Sequence, residues 1–294
     1  MTVNICMITY NHAQYIGEAI EGVLRQVTRF PIQLIIGEDY STDGTRKICS
    51  DYAGRFPDKI ILLDTPRNLG MMQNFVRTYK ACTGKYIAFC EGDDYWTDPY
   101  KLQKQVDCLE DNPAYSACFH NVKLKQQRNG ENSEWVLHES SPGDTFGTEA
   151  VLGPWFIPSP SFVFVNYPDF ELPDWFFNCK YGDLPFMLLL TLRGKFKYLD
   201  EVMGVYRLHD TGMTTVHKEY DKIMVMVYVY ASFDIHTNYR YHEAVRKAVI
   251  YEVDRHVPHK PAAIAEQAKQ PGFSAKKYFK RMKELLYKKI VAKG

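Results

Sequence analysis

Three features of this 294-residue chain predict an α/β fold: a mostly parallel sheet, helices on both faces, and a helical extension at the C-terminal end. Short β-rich runs alternate with helical patterns as far as Asn112-Pro113. Polar and acidic residues stand at the carboxyl ends of those runs, where open α/β sheets place their ligands. From about residue 215 the pattern turns wholly helical. Strands alternating with helices at this period build right-handed βαβ units, and a parallel sheet needs both faces covered.

The elements follow in order. A strand over 3–9 leads to a helix over 15–26, with Ile16, Ala19, Ile20, Val23 and Leu24 at helical spacing. A strand over 32–37 leads to a helix over 45–56 carrying Ile48, Tyr52 and Phe56, with Asp43 placed to cap it. Residues 60–63 lead to a helix over 71–82. The apolar run Tyr86-Ile87-Ala88-Phe89 reads as a buried strand bounded by Gly84, and a helix over 99–109 follows. Asp98 before Pro99 is a start signal, an acidic N-cap with proline at the first helical position. Beyond Pro113 the pattern predicts a strand over 115–124 and a polar loop over 128–133. Pro154, Pro158 and Pro160 then punctuate an aromatic stretch with Trp155 and Phe156, which suits either a second substrate's pocket or a loop packed over the sheet.

Helices are predicted over 220–235 and 240–257, with a break at Pro258, Pro261 and Pro271. The last segment, 275–293, sets Phe279, Met282, Leu286 and Ile290 on one face, while its other positions carry eight cations against the single acid Glu284. Such a helix lies on an anionic membrane surface or docks with a solvated charged face.

Composition bounds the function. Hydrophobic residues make up 46% of the chain, enough for a sizeable core and unlike a disordered chain. Lys plus Arg total 36 against 35 Asp plus Glu, so a net charge of +1 gives no global pull toward nucleic acid. Seven cysteines, odd in number and without C-x-x-C spacing, read as small core residues of a reduced protein. The N-terminus lacks a signal-peptide pattern, and no window approaches the roughly 20 apolar residues that span a membrane. The expectation is a cytoplasmic protein whose one membrane contact, at the inner face, would run through 275–293.

The segment Glu91-Gly92-Asp93-Asp94 carries the most chemistry. On an extended backbone Glu91 and Asp93 point to the same side. Two such carboxylates repel unless a cation or a ligand's hydroxyls stand between them, and a divalent ion bridging to phosphates would serve. An acidic turn capping a helix is the competing reading. The other strand ends carry Thr9-Tyr10-Asn11, Glu38-Asp39 and Arg67-Asn68-Leu69-Gly70, whose hydroxyl, amide and carboxylate groups suit a base edge and ribose. Neither G-x-G-x-x-G nor G-x-x-x-x-G-K-[ST] follows a strand, which disfavours dinucleotide and P-loop enzymes.

Taken together, strand-T-Y-N at Ile5–Asn11, Glu38-Asp39-Tyr40-Ser41-Thr42-Asp43-Gly44-Thr45, Arg67-Asn68-Leu69-Gly70 and Glu91-Gly92-Asp93-Asp94 resemble the family 2 inverting glycosyltransferases of GT-A (Rossmann-related) fold. Tyr181-Gly182-Asp183-Leu184 resembles that family's catalytic-base segment, and Val205-Tyr206-Arg207-Leu208-His209 its Y-R-x-H segment. The resemblance spans about residues 2–215. It implies a catalytic domain over 1–215, with nucleotide-sugar binding over about 1–112, the acceptor side over about 113–215, and a helical extension over 216–294.

It also implies roles. Thr9, Asn11 and Asp39 hold base and ribose, with Tyr10, Glu38, Arg67, Asn68, Gly70 and Gly92 lining the same nucleotide site. Glu91 meets ribose or sugar hydroxyls. Asp93 ligates Mn2+ or Mg2+ on the diphosphate, His209 adds a metal ligand, and Arg207 neutralises phosphate. Asp183 takes the acceptor's proton, with Trp96, Trp155 and Ser159 on the acceptor side. The implied reaction moves a sugar from a nucleotide-sugar donor, a UDP-sugar first, to a hydroxyl of a glycan or lipid-linked acceptor in polysaccharide or glycolipid synthesis. The chain departs from the family at Glu38 and Glu91, where aspartate is usual, and at Gly182, where glutamate is frequent. The rival is a catalytically degenerate nucleotide-sugar-binding module. A nucleotidyltransferase would need a glycine-rich basic loop after the first strand, which Thr9-Tyr10-Asn11-His12 is not.

Overall fold

A computed structural model of the chain describes residues 2–128, 130–212 and 219–256. By internal contacts the chain divides into compact units over 1–249 and 250–294. In the first, strands β1 (Val3–Thr9), β2 (Ile32–Glu38), β3 (Ile60–Leu63) and β4 (Tyr86–Phe89) lie in the order β3-β2-β1-β4, and every neighbouring pair is parallel. Helices α1 (Ile16–Leu24), α2 (Thr45–Arg55) and α3 (Met71–Ala81) connect them.

The pleat explains the near-continuous burial of β1. Val3, Ile5 and Met7 pack with Ile16, Ala19, Ile20 and Val23 of α1 and with Leu102 and Val106 of α4 (Lys101–Asp111). Cys6 points to the opposite face, into the cluster with Phe75, Val76 and Tyr79 of α3. With both faces covered, the strands need no polar alternation.

Beyond β4 the sheet continues through an inserted strand. β9 (Val163–Val165) runs antiparallel between β4 and β6 (Tyr115–Arg128), and β6 pairs in parallel with β10 (Lys195–His209). Two short strands, β5 (Tyr95–Trp96) and β8 (Thr145–Phe146), join β10 antiparallel. The polar loop expected over 128–133 is instead the tip of a hairpin. β6 runs on to Arg128 and pairs with β7 (Glu131–Val136), turning through Gly130 at φ +78°. The polarity misled because β7 is largely exposed, and its Glu134 lies 3.8 Å from both Lys123 and Lys125.

Helices α5 (Thr148–Val151), α6 (Asp183–Thr191), α7 (Glu219–His236) and α8 (His242–His256), with 3-10 turns at Ser159–Ser161 and Asp174–Asn178, complete the described elements. α6 is buried from Pro185 to Thr191, which makes it a fixed platform. Helix α4 starts two residues later than proline spacing suggests, and Asp98 caps the turn before it by accepting from Tyr100 N at 2.7 Å. Its first residue, Lys101, is fully buried, with Nζ 4.0 Å above the Trp96 ring and no hydrogen-bond partner. Burial pushes the Lys101 amine down to about 7.

All seven cysteines are free, six of them buried. No helix among the described residues is long and apolar enough to cross a membrane. The prolines 258, 261 and 271 and the basic segment 275–293 lie outside the described residues.

Candidate active site

The acidic segment is a turn, not an extended continuation of β4. Asp94 N donates to Glu91 O at 3.2 Å, so Glu91 and Asp93 converge by turning rather than by strand alternation. Gly92 makes that turn fit. Its N–H donates to Ile8 O at 2.9 Å, and a Cβ there would lie 2.4 Å from Thr9 Oγ1 and 2.9 Å from Ile16 Cδ1. Thr9 Oγ1 is buried without a hydrogen-bond partner. Asp94 is buried behind the turn, where its Oδ1 accepts from Arg207 N at 2.7 Å and ties the turn to β10. Burial, with Asp93 and Glu91 beside it, raises the Asp94 carboxyl well above the usual range.

Asp93 faces two histidines. Its Oδ2 lies 3.0 Å from His209 Nε2 and 3.6 Å from His12 Nε2, and the three ligand atoms sit within 4.8 Å of one another. Burial alone would raise the Asp93 carboxyl, but His12 and His209 outweigh it and hold it below the usual range. Burial lowers His12, which favours the neutral imidazole that binds metals. His209 is fixed through Nδ1, 2.9 Å from Thr211 Oγ1. Arg207 reaches the same turn from β10. Its buried guanidinium lies over the rings of Tyr95 (4.3 Å) and Tyr15 (5.0 Å) and bonds Glu18 and the Asp93 carbonyl. It braces the acidic turn from within the protein.

The loops after β1 and β2 lock together. Asn11, at φ +55°, donates from its backbone to Ser41 Oγ at 2.9 Å and accepts from Thr42 N at 2.9 Å. His12 N donates to Thr45 Oγ1 at 2.8 Å, and Ala13 N to Asp43 Oδ2 at 2.9 Å. The N-cap of α2 is Gly44 rather than the expected Asp43, which sits one residue earlier and accepts from Thr45 N at 3.0 Å while holding the neighbouring loop. Glu38 is buried and turns back on its own loop, accepting from Tyr40 N at 3.2 Å and Ser41 N at 2.7 Å. Asp39, also buried, accepts from Leu69 N at 2.7 Å and Gly70 N at 2.9 Å, while Asn68 Nδ2 donates to Asp39 O at 2.9 Å. Both carboxylates therefore build the rim of the site. Tyr10 and Tyr40, each 44% exposed, and the exposed Arg67 are what the rim presents outward.

On the other side, Glu91 Oε2 accepts from Ser159 Oγ at 2.8 Å, and burial plus the nearby Asp93 charge pushes Glu91 up to about 8. Asp183 opens α6, its carboxyl raised by burial. Glu91 and Tyr206 both feel the Asp183 charge, so Asp183 lies near the acidic turn. A Cβ on Gly182 would meet Phe75 Cδ1 at 3.3 Å and Met72 Sδ at 3.5 Å, so a glutamate there would need the Phe75 ring to give by a few tenths of an ångström. Trp96, expected on the acceptor side, is 1% exposed and donates Nε1 to Pro160 O at 2.7 Å. It is a core residue that fixes the turn carrying Ser159. Trp155 is 46% exposed, its ring 5.7 Å from that of Tyr206.

The structure thus gathers Thr9, Glu91, Gly92, Asp93, Ser159, Asp183, Arg207 and His209 around one end of the sheet. It adds His12, Glu18 and Tyr206, which sequence reasoning left out. Tyr206 sat inside a quoted motif next to Arg207 and His12 followed one directly after Asn11, so adjacency was the available signal; Glu18 had none.

Residues 4–170 match the family described as Glycosyl transferase family 2. An uncharacterized protein of Mycobacterium tuberculosis is 35% identical over 218 residues, covering 72% of this chain and 60% of its own. The chain thus spans about 60% of that relative's length. Among solved structures, S. aureus TarS 1-349 in complex with UDP superposes with TM-score 0.55 at 17% identity, covering 79% of this chain and 65% of that one. The mannosyltransferase PcManGT of Pyrobaculum calidifontis, in complex with GDP-Man and Mn2+, gives TM-score 0.54 at 14% identity, covering 98% and 86%. These structural likenesses concern the GT-A fold.

Proposed function

The chain belongs to glycosyl transferase family 2, and from that premise we propose that it is an inverting transferase moving a sugar from a nucleotide sugar to an acceptor hydroxyl. The observation that carries this reading is the convergence of Asp93 and His209 with Asp183 and Glu91 at the carboxyl end of the sheet. Asp93 and His209 fit a divalent cation, Mn2+ or Mg2+. Their facing Oδ2 and Nε2 are 3.0 Å apart, as for two neighbouring donors at about 2.1 Å from one ion. Bound there, such a cation supplies positive charge to the departing diphosphate.

The residues divide the remaining work. The loops interlocked through Asn11 with Thr42 and Asp39 with Gly70 form the nucleotide rim, with Tyr10 and Tyr40 offering faces to a base. Glu91, held by Ser159, faces ribose or sugar hydroxyls. Asp183, raised by burial, accepts the proton of the acceptor hydroxyl as its oxygen bonds the anomeric carbon and the bond to the diphosphate oxygen breaks. One displacement from the face opposite the leaving group inverts that carbon. Trp155 with Tyr206 offers an aromatic platform for an acceptor sugar. UDP is the first donor nucleotide to test, because TarS binds it, with GDP second because PcManGT binds GDP-Man.

Calorimetric titration of UDP, GDP and CDP with and without Mn2+ tests the donor. Metal-dependent binding of one nucleotide supports the reading, and no binding by the folded protein refutes it. Asp93→Ala weakens donor binding, whereas Asp183→Asn spares binding and lowers turnover by about 100- to 10,000-fold. Full activity in both variants sinks the assignment.

A further inference from the structure

We propose that His12 is a third ligand of the metal site, completing a two-histidine, one-carboxylate set that takes a first-row transition ion in preference to Mg2+. The inference deepens the metal assignment above. Three elements supply the ligands: the loop after β1 brings His12, the turn after β4 brings Asp93, and the end of β10 brings His209. The separations of Asp93 Oδ2 from the two imidazole Nε2 atoms, 3.0 and 3.6 Å, put the carboxylate within reach of an ion shared with either histidine, and all three ligand atoms lie within 4.8 Å of one another. An ion held by these three side chains would keep further positions for diphosphate oxygens and water.

His12 is placed for this from outside its own strand. Its backbone N–H is held by Thr45 Oγ1, the next N–H by Asp43 Oδ2, and Thr45 Oγ1 itself donates to Asp43 Oδ1 at 2.6 Å. Its ring packs against Tyr15 (centroids 6.4 Å) and His209 (6.1 Å). His12 Nδ1 has no hydrogen-bond partner, so backbone anchoring and packing, not a second-sphere bond, orient the ring. The ligand set also decides the ion. Mg2+ prefers oxygen ligands and keeps its waters, whereas imidazole nitrogens suit the later first-row metals. Two imidazoles against one carboxylate therefore tilt the site toward a transition ion.

The test uses the full chain and metal alone. Co2+ is titrated without nucleotide and followed by its visible absorption. Wild type binds Co2+, a large excess of Mg2+ fails to displace it, and His12→Gln weakens binding at least about tenfold, the lower end seen when ligand support is lost. Unchanged Co2+ affinity in a folded His12→Gln, displacement by equimolar Mg2+, or no Co2+ bound by wild type overturns the proposal. Should that variant not fold, imidazole 15N spectra of the wild type with Zn2+ decide. Two histidine Nε2 resonances shift together if His12 ligates, and one shifting alone overturns it. None of these outcomes bears on nucleotide binding, which judges the transferase reading separately.

Discussion

Lys101→Met should make the protein more stable at neutral pH. Lys101 is fully buried, its amine has no hydrogen-bond partner, and burial holds it down to about 7 against an ordinary 10.5. A displacement of that size, at 1.36 kcal/mol per pH unit, is a destabilisation of at most about 5 kcal/mol at pH 7. Methionine fills similar volume but gives up the amine's contact with the Trp96 ring at 4.0 Å, worth up to about 2 kcal/mol when desolvated. The net expectation is a gain of about 2–3 kcal/mol at pH 7. The sign follows from proton linkage. Between about 7 and 10.5 the unfolded chain holds a proton that the folded lysine does not, so the Lys101 contribution to stability is fullest above 10.5 and is lost as pH falls toward 7. The advantage of Lys101→Met should therefore shrink steadily as pH rises. Urea denaturation of both proteins at pH 7 and pH 10 measures it as a difference, cancelling the other groups that titrate. A variant less stable than wild type at pH 7, or an advantage unchanged at pH 10, refutes the argument.

Asp39→Asn should cost about 1–3 kcal/mol in the same assay, because the amide keeps one acceptor and turns its NH2 toward the N–H of either Leu69 or Gly70; a change below about 0.5 kcal/mol would mean that these two hydrogen bonds do not hold the loop. Gly92→Ala should destabilise by about 1–3 kcal/mol and weaken metal binding, since its Cβ would overlap Thr9 and Ile16; wild-type binding of Co2+ by this variant counts against the turn's rigidity. Trp155→Ala should leave the melting temperature unchanged and raise the acceptor KM with little effect on donor KM, and an unaltered acceptor KM would remove Trp155 from the acceptor site.

The parallel half of the sheet was legible because burial on both faces leaves unbroken apolar runs, as in Ile5-Cys6-Met7 and Tyr86–Phe89, and α1 and α3 show their buried stripes at helical spacing. Of the other half only β6, expected over 115–124 and found over Tyr115–Arg128, was legible. β10 carries Lys195, Lys197, Asp200 and Glu201 among its apolar residues and shifts register near Val202, so neither period survives. β9 has only three residues, and what makes them a strand is the slot between β4 and β6. The site divides in the same way. Glu91, Asp93 and Asp183 announce themselves as acids in motifs. His12 does not, because Thr45 and Asp43 fix its position from more than 30 residues away.

β9 also sets an order of events. Its partners β4 and β6 are distant from it in sequence, so its pairing closes large loops and comes late in folding. Until then β4 and β6 present open edges that invite other chains. The turn at Ser159–Ser161 leads into β9, and through it Ser159 reaches Glu91 and Pro160 reaches Trp96. The strand that removes the sticky edges thus also delivers the serine that holds the acidic turn's glutamate. A chain halted before that step is both inert and prone to aggregate, so solubility during refolding and recovery of activity should rise on one time course.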